Sequence, residues 1–202
     1  MPLNLAVFVS GRGSNLEAIL KAIKAGTLDA QVKTVISNEP GVGALDIAKQ
    51  YGIEPIVHPS LRVSRQQHEM RIEESLQAFE IEYIVLAGYM RILSPSFLQN
   101  FHDRRGFNRV LNIHPSLLPA FPGTNAYEDA FNYGVKISGI TVHLVDDKVD
   151  HGPILAQEAF SRLANDSLAD FKARGLAVEH KLYPSVIQQI SEGKVHFYEC
   201  KR

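Results

Sequence analysis

Short apolar runs alternate with helical patterns from the start of the chain to position 114, and this alternation limits the fold more than any other feature. The runs LNLAVFVS, QVKTVIS, PIVH, EYIVLAG and RVLNIH each have about the length of one strand. The stretches between them place apolar side chains at helical spacing, over residues 14–25, 42–51 and 64–79. Strands joined by crossover helices form a parallel sheet with helices on both faces. The sequence therefore predicts an α/β fold with a Rossmann-like, mostly parallel sheet.

The pattern changes after Gly134. SGITVHLVD and GPILAQEAF are two strand-like runs joined by DKVDH, which predicts an antiparallel or mixed extension of the sheet. A long helical pattern covers residues 166–191, and Pro184 is expected to bend it because proline removes a backbone donor. VHFYE is predicted as a last edge strand. The whole chain, residues 1–202, is interpreted as one catalytic domain.

Composition excludes several classes of protein. The 21 basic and 22 acidic side chains give a net charge of −1, which argues against a nucleic-acid-binding face. The only cysteine, Cys200, permits neither an internal disulfide nor a cysteine metal site. No signal peptide or membrane-spanning run is present, so we expect a cytoplasmic protein with small-molecule partners and no membrane partner.

A glycine-rich loop, SGRGSNLE, joins the first strand to the first helix. Gly11 and Gly13 permit a tight turn, and the helix N-terminus that follows favours an anion such as a phosphate. The alternative is purely structural: the glycines turn the chain, and Ser14 with Glu17 forms a capping box. A dinucleotide fingerprint is disfavoured because its third glycine would fall at Leu16.

An asparagine and a histidine end the fifth predicted strand, LNIHPS. Asn112 and His114 point to the same face because side chains alternate along a strand, and they lie at the ligand-binding edge of a parallel sheet. Together they can stabilise an oxyanion and carry a proton. Asp146, Asp147 and Asp150 are candidate carboxylate partners, which would raise the pKa of His114. The alternative is a satisfied polar pair near an ordinary acidic turn. No serine-hydrolase elbow and no HExxH zinc motif is present.

The segment LAGYMRILSP ends the fourth predicted strand and carries an apolar patch. Tyr89, Met90, Ile92 and Leu93 belong either to the ordinary core or to a slot for a flat aromatic ligand.

The segments SGRGSNLEAI, VLAGYMRILSP, LNIHPSLLPAFPG and GITVHLVDDKVDHGPILAQ occur in this order, and together they resemble the phosphoribosylglycinamide formyltransferase family of purine biosynthesis. The resemblance covers nearly the whole chain. It implies direct transfer of a formyl group from 10-formyltetrahydrofolate, a cosubstrate, to the amine of glycinamide ribonucleotide. It implies no metal, and a monomer or homodimer.

The resemblance also implies roles for individual residues. Asn112 and protonated His114 would stabilise the tetrahedral oxyanion, with His114 as proton donor and Asp150 as its charged partner. The ribonucleotide would be held by Gly13, Ser14, Asn15 and Glu179. The folate would be held by Arg65, Met90, Arg91, Ile92, Leu93, Asn112, Asp146, Asp147, Lys148, Val149 and Asp150.

Two features depart from the family pattern. The segment before the fifth strand, including residues 104–108, is longer than usual, and it is either a surface insertion or a change at an edge or subunit contact. Asn125 replaces a histidine that relatives often carry, so no imidazole is available at this position.

Three rival functions share parts of this pattern. A 10-formyltetrahydrofolate hydrolase would use the same Asn–His–Asp set without a phosphate loop, and it commonly carries an extra domain for which we expect no room before the first strand. A formyltransferase for initiator tRNA would need an added C-terminal domain and a basic face. A non-catalytic nucleotide- or folate-binding module is disfavoured because all three polar residues are retained.

Overall fold

The computed structural model describes residues 1–194. The predicted strand VHFYE and Cys200 lie outside the described residues. The elements in chain order are β1 (Leu3–Val9), α1 (Ser14–Lys24), β2 (Ala30–Ser37), α2 (Gly43–Gln50), β3 (Ile56–Val57), α3 (Arg65–Leu76), β4 (Tyr83–Leu86), α4 (Pro95–Gln99), β5 (His102–Asp103), β6 (Phe107–Asn108), β7 (Val110–His114), α5 (Ala126–Tyr133), β8 (Ile137–Leu144), β9 (Ile154–Ser161) and α6 (Leu168–Ser191).

The main sheet has seven strands in the order β3-β2-β1-β4-β7-β8-β9. The first five of these strands are parallel, whereas β8 pairs antiparallel with β7 and with β9. This confirms the predicted parallel sheet and its antiparallel extension. The segment before β7 forms a small hairpin of β5 and β6 with an exposed turn at residues 104–106.

Alternating side chains of the central strands feed two separate hydrophobic cores. In β1, Val7 and Val9 face one core, where α1, α2, α5 and α6 pack. Ala6 and Phe8 face the other core, which is formed with α3 and α4. Helices therefore cover both faces, as the near-continuous apolar character of the strands predicts.

Two helix starts differ in how they are capped. The capping box predicted at Ser14 and Glu17 is wrong: Gly13 is the N-cap of α1, with a left-handed φ of 83° and no side-chain cap. A Cβ at Gly13 would lie 2.7 Å from the Ala44 Cα, so close packing against α2 selects glycine at this position. A capping box instead begins α6, which continues through Pro184 to Ser191.

Candidate active site

Asn112 and His114 point to the same face of β7, on the side of the core formed with α3 and α4. Val110, two residues before Asn112, packs in that core. Residues 145–153, which connect β8 to β9, lie over this face next to β7 and β8. We call these residues the roof loop. A cavity of about 310 Å³ lies here. Its lining consists of Asn15, Leu86, Gly88, Tyr89, Met90, Arg91, Ile92, Leu93, Asn112, Ile113, His114, Pro115, Gly123, Thr124, His143, Val145, Asp146, Lys148, Val149, Asp150 and Glu179.

The segment after β7 curls back and fixes the His114 ring. The Nε2 atom of His114 lies 2.8 Å from the Phe121 carbonyl oxygen, and a carbonyl only accepts, so Nε2 carries a proton. Phe121 has a φ of 50°, a conformation that a non-glycine residue adopts only when its surroundings impose it. The Thr141 hydroxyl donates to the Ser116 carbonyl at 2.6 Å and accepts from the Leu118 N–H at 3.1 Å. This network explains why a rigid turn follows the histidine.

Asp150 faces the other nitrogen of the same ring. Its Oδ2 atom lies 3.4 Å from His114 Nδ1 and accepts a hydrogen bond of 2.7 Å from the Gly123 N–H. Asp150 also has a left-handed backbone, with a φ of 51°, which aspartate tolerates better than most residues. Of the three candidate carboxylates of the sequence, Asp150 is therefore the one next to His114.

His143 lies next to both Asn112 and Asp150, although the sequence pattern alone did not place it with them. Its Nδ1 donates to the Leu144 carbonyl at 2.9 Å, so its Nε2 accepts from the Asn112 amide at 3.1 Å. The same Nε2 lies 3.7 Å from Asp150 Oδ1. The alternation in GITVHL predicts on which face of the strand His143 lies. Its partner follows only from the pairing of β8 with β7, in which His143 is opposite Asn112.

Burial determines the direction of the pKa shift of His114 but not that of Asp150. Removal from water lowers the pKa of His114 below its ordinary value, although Asp150 and the bond to Phe121 act in the opposite direction. The raising influence of Asp150 agrees with the effect expected from the sequence, but burial has the larger effect on the pKa of His114. Burial alone would raise the pKa of Asp150, but the hydrogen bond from the Gly123 N–H and the nearby His114 lower it.

Glu179 and Asn15 bring α6 and α1 into the cavity lining. Both are buried, and the Asn15 amide donates to Glu179 Oε2 at 2.6 Å. The Oδ1 atom of Asn15 is buried without a hydrogen-bond partner in the described structure. These two side chains therefore present acceptor atoms that suit a ligand with N–H or O–H donors.

The loop after β4 forms an apolar part of the lining. Tyr89 and Leu93 are buried in the core, whereas Met90 and Ile92 are 61% and 54% exposed. The core alternative therefore holds for Tyr89 and Leu93, all four side chains line the cavity, and a slot for a flat aromatic ligand stays a prediction. Ser10 ties this loop to the glycine loop, because its hydroxyl accepts from the Met90 N–H at 2.8 Å and donates to Asn38.

Not every predicted binding residue lies in the cavity lining. Gly13 and Ser14 lie just before Asn15 at the start of α1, outside the lining, and Asp147 is the one roof-loop aspartate that does not contribute. Arg65 is exposed at the first position of α3 and also lies outside it. The structure thus brings together the proposed catalytic residues, Asn15 and Glu179, and most of the proposed folate set.

The roof loop is closed at its base by a contact that only glycine permits. The Leu144 N–H donates to the Pro153 carbonyl at 2.9 Å, and a Cβ on Gly152 would lie 1.9 Å from the Leu144 carbonyl oxygen. We expect Gly152→Ala to displace the loop and with it Asp150. Because a shift of about 1 Å in a catalytic group can cost about 10²-fold, kcat should fall by about that factor.

Steady-state kinetics with the substrates named below would measure the Gly152→Ala effect, and a thermal melt of the same variant would serve as its control. A Tm lowered only slightly together with the large loss in kcat is the expected pair of results. Wild-type kcat in this variant would show that the pinched base does not position Asp150.

Two other kinds of site have no candidate within residues 1–194. No group of three or more His, Cys, Asp or Glu side chains there is arranged to hold a metal ion. None of the helices described is both long enough and apolar enough to cross a membrane.

Comparison with known proteins identifies the family of the chain. The profile of the formyl transferase family matches residues 3–187. The phosphoribosylglycinamide formyltransferase of Bacillus subtilis is 41% identical over 186 residues, covering 92% of this chain and 93% of that protein. The human trifunctional purine biosynthetic protein adenosine-3 is 39% identical over 196 residues, covering 96% of this chain, but the matched part is only 19% of that protein.

Solved structures give the same result. The glycinamide ribonucleotide transformylase 1 of Symbiobacterium toebii superposes with a TM-score of 0.90 at 37% identity, covering 98% of this chain and 95% of that one. The phosphoribosylglycinamide formyltransferase of Bacillus halodurans superposes with a TM-score of 0.86 at 39% identity, covering 93% and 94%. By sequence and by fold, the chain belongs to the formyl transferase family, within the group of phosphoribosylglycinamide formyltransferases.

Proposed function

We propose that this protein transfers the formyl group of 10-formyltetrahydrofolate to the amine of glycinamide ribonucleotide, a step of purine biosynthesis. The observation that carries the proposal is the convergence of Asn112, His114 and Asp150 in a cavity that Asn15 and Glu179 also line. The B. subtilis relative, matched along almost its whole length, is named for this activity. Residues 1–202 would act as one catalytic domain on these two small molecules.

The two substrates would occupy different parts of the cavity lining. The ribonucleotide phosphate would lie at the N-terminus of α1, near Gly13 and Ser14, where unpaired backbone N–H groups favour an anion. Its donor groups would meet the acceptors of Asn15 and Glu179. The folate ring would lie against the exposed apolar side chains of Met90, Ile92 and Val149, and the remaining wall is given by Arg91, Leu93, Asp146 and Lys148.

Arg65 and Asp147 would play a smaller part in this proposal. Both lie outside the cavity lining, so a contact with folate would involve the part of the ligand that extends beyond the cavity.

The reaction would proceed by direct attack. The amine nitrogen forms a bond to the formyl carbon, and the carbonyl electron pair moves to oxygen. One N–H of the Asn112 amide is used by His143, and the other is left to donate to the oxyanion. The bond between the formyl carbon and N10 of the folate then breaks, and N10 gains a proton.

His114 would carry that proton. Burial lowers its pKa, Nε2 is bonded to the Phe121 carbonyl, and Nδ1 is the nitrogen left to take up a proton. Nδ1 takes up the proton that the attacking nitrogen loses, and the resulting imidazolium is stabilised by Asp150 at 3.4 Å. The same proton passes to the leaving N10, so the ring returns to its starting state.

A transfer assay tests this function. Purified protein is mixed with 10-formyltetrahydrofolate, with and without glycinamide ribonucleotide, and the loss of formyl-folate is followed. We expect consumption only when the ribonucleotide is present. Consumption without it would identify a hydrolase, and saturable binding of either ligand without consumption would identify a binding module.

A further inference from the structure

Glu179 is held by a second residue that the mechanism above does not use. The hydroxyl of Tyr127, in the first turn of α5, donates to Glu179 Oε1 at 2.6 Å. With the Asn15 amide on Oε2, both carboxylate oxygens are bonded. Burial and the neighbouring Glu179 raise the pKa of Tyr127 far above its ordinary value, so the phenol keeps its proton and acts only as a donor here.

The surface of α6 is shaped to receive this tyrosine. Phe171, Gly175 and Glu179 follow one another at four-residue spacing, so they lie on one face of the helix. The Tyr127 ring packs edge-on against Phe171, with ring centroids 6.1 Å apart. A Cβ on Gly175 would lie 2.3 Å from the Tyr127 hydroxyl oxygen. The ring therefore spans the helix face, and its hydroxyl reaches the carboxylate.

A glycine in the middle of a long helix needs a reason, because it destabilises the helix relative to alanine. The three heavy atoms nearest to the missing Cβ all belong to Tyr127. The close approach of the ring thus accounts for Gly175.

We infer that Tyr127 is a positioning residue for the ribonucleotide subsite: seated on Gly175, it fixes the Glu179 carboxylate in the orientation that receives the donor groups of the amine substrate. This inference rests on the proposed function, because it assigns Glu179 to that substrate. The unpartnered Oδ1 of Asn15 supports it, since the clamp leaves one further acceptor for the same ligand.

Tyr127→Phe tests the inference by removing the hydroxyl and keeping the ring. Because hydrogen bonds to a charged group contribute about one power of ten or more in affinity, we expect the KM and Kd for glycinamide ribonucleotide to rise about tenfold. The kcat should change less than about threefold, and the KM for 10-formyltetrahydrofolate less than about twofold. Kinetics with each substrate varied, and calorimetric titration with the ribonucleotide alone, measure these values.

Tyr133→Phe is the matched control, because Tyr133 lies on the same helix with its side chain 81% exposed. It should leave all the constants unchanged. Gly175→Ala should raise the KM and Kd for the ribonucleotide in the same way, because it displaces the ring. The double variant with Tyr127→Phe should bind the ribonucleotide no more weakly than the single variant with the larger defect.

The outcomes separate this inference from the proposed function. If wild type transfers formyl and Tyr127→Phe binds ribonucleotide as tightly as wild type, the inference is overturned and the function stands. Equal increases in both KM values together with a lowered Tm would show a merely structural tyrosine and also overturn it. If wild type transfers no formyl group, the proposed function fails and the inference falls with it.

Discussion

Replacing His114 with glutamine is expected to reduce kcat for formyl transfer by about 10³-fold or more. Glutamine keeps an N–H that can donate to the Phe121 carbonyl, but it has no nitrogen that takes up and releases a proton. Proton transfer by a placed side chain contributes about 10² to 10⁴-fold, and stabilisation of the oxyanion by the imidazolium adds to this. The KM values should change much less, because the loss affects the transition state.

His102→Gln is the control for this experiment, since His102 is exposed on the β5–β6 hairpin, away from the cavity lining. It should retain full activity. A His114→Gln enzyme that keeps more than about a tenth of the wild-type kcat would remove His114 from the proton path. A thermal melt of both variants checks that any loss is not caused by unfolding.

Asp150→Asn is expected to lower kcat by about 10²-fold. Asparagine tolerates the left-handed backbone at this position and keeps an oxygen for the Gly123 N–H, so the loop should remain in place. What is lost is the negative charge beside His114 Nδ1, and with it the stabilisation of the imidazolium formed during transfer. Asp29→Asn, an exposed change before β2, should have no effect. Equal activity of the two variants would contradict the role given to Asp150.

An NMR titration of the same variant separates this charge effect from a change of shape. In wild type, burial lowers the pKa of His114, and Asp150 partly restores it. Removing the carboxylate removes a raising influence, so the midpoint of His114 should move to lower pH in Asp150→Asn. A midpoint that rises or stays fixed would show that Asp150 does not act on His114 electrostatically.

Local patterns were sufficient to predict the layout of the sheet and the centre of the site. The alternation of apolar runs with helical spacing gave the parallel strands, and the i, i+2 spacing of Asn112 and His114 placed both on one face. The antiparallel return after Gly134 was also readable, because two strand-like runs with a short connection form a hairpin.

Contacts between distant parts of the chain were not predictable in the same way. His143 bonds to Asn112 across 31 residues, and Tyr127 bonds to Glu179 across 52. Both depend on the register of β8 or on how α5 packs on α6, which periodicity does not define. The cap at Gly13 was missed for a similar reason, because its cause is the packing of Ala44 from another helix. Predicting the direction of the pKa shift of His114 requires knowledge of its burial, which residue spacing alone does not provide.

The roof loop contributes side chains to the cavity lining but little to the hydrophobic cores. The loop joins two antiparallel strands at the side of the sheet, and both hydrophobic cores are assembled largely without it. Loops of this kind change length at little thermodynamic cost. In evolutionary terms, the loop is a place where descendants of this chain can vary the ligand above Asn112 and His114 while inheriting the same scaffold, and protein engineers can use it in the same way.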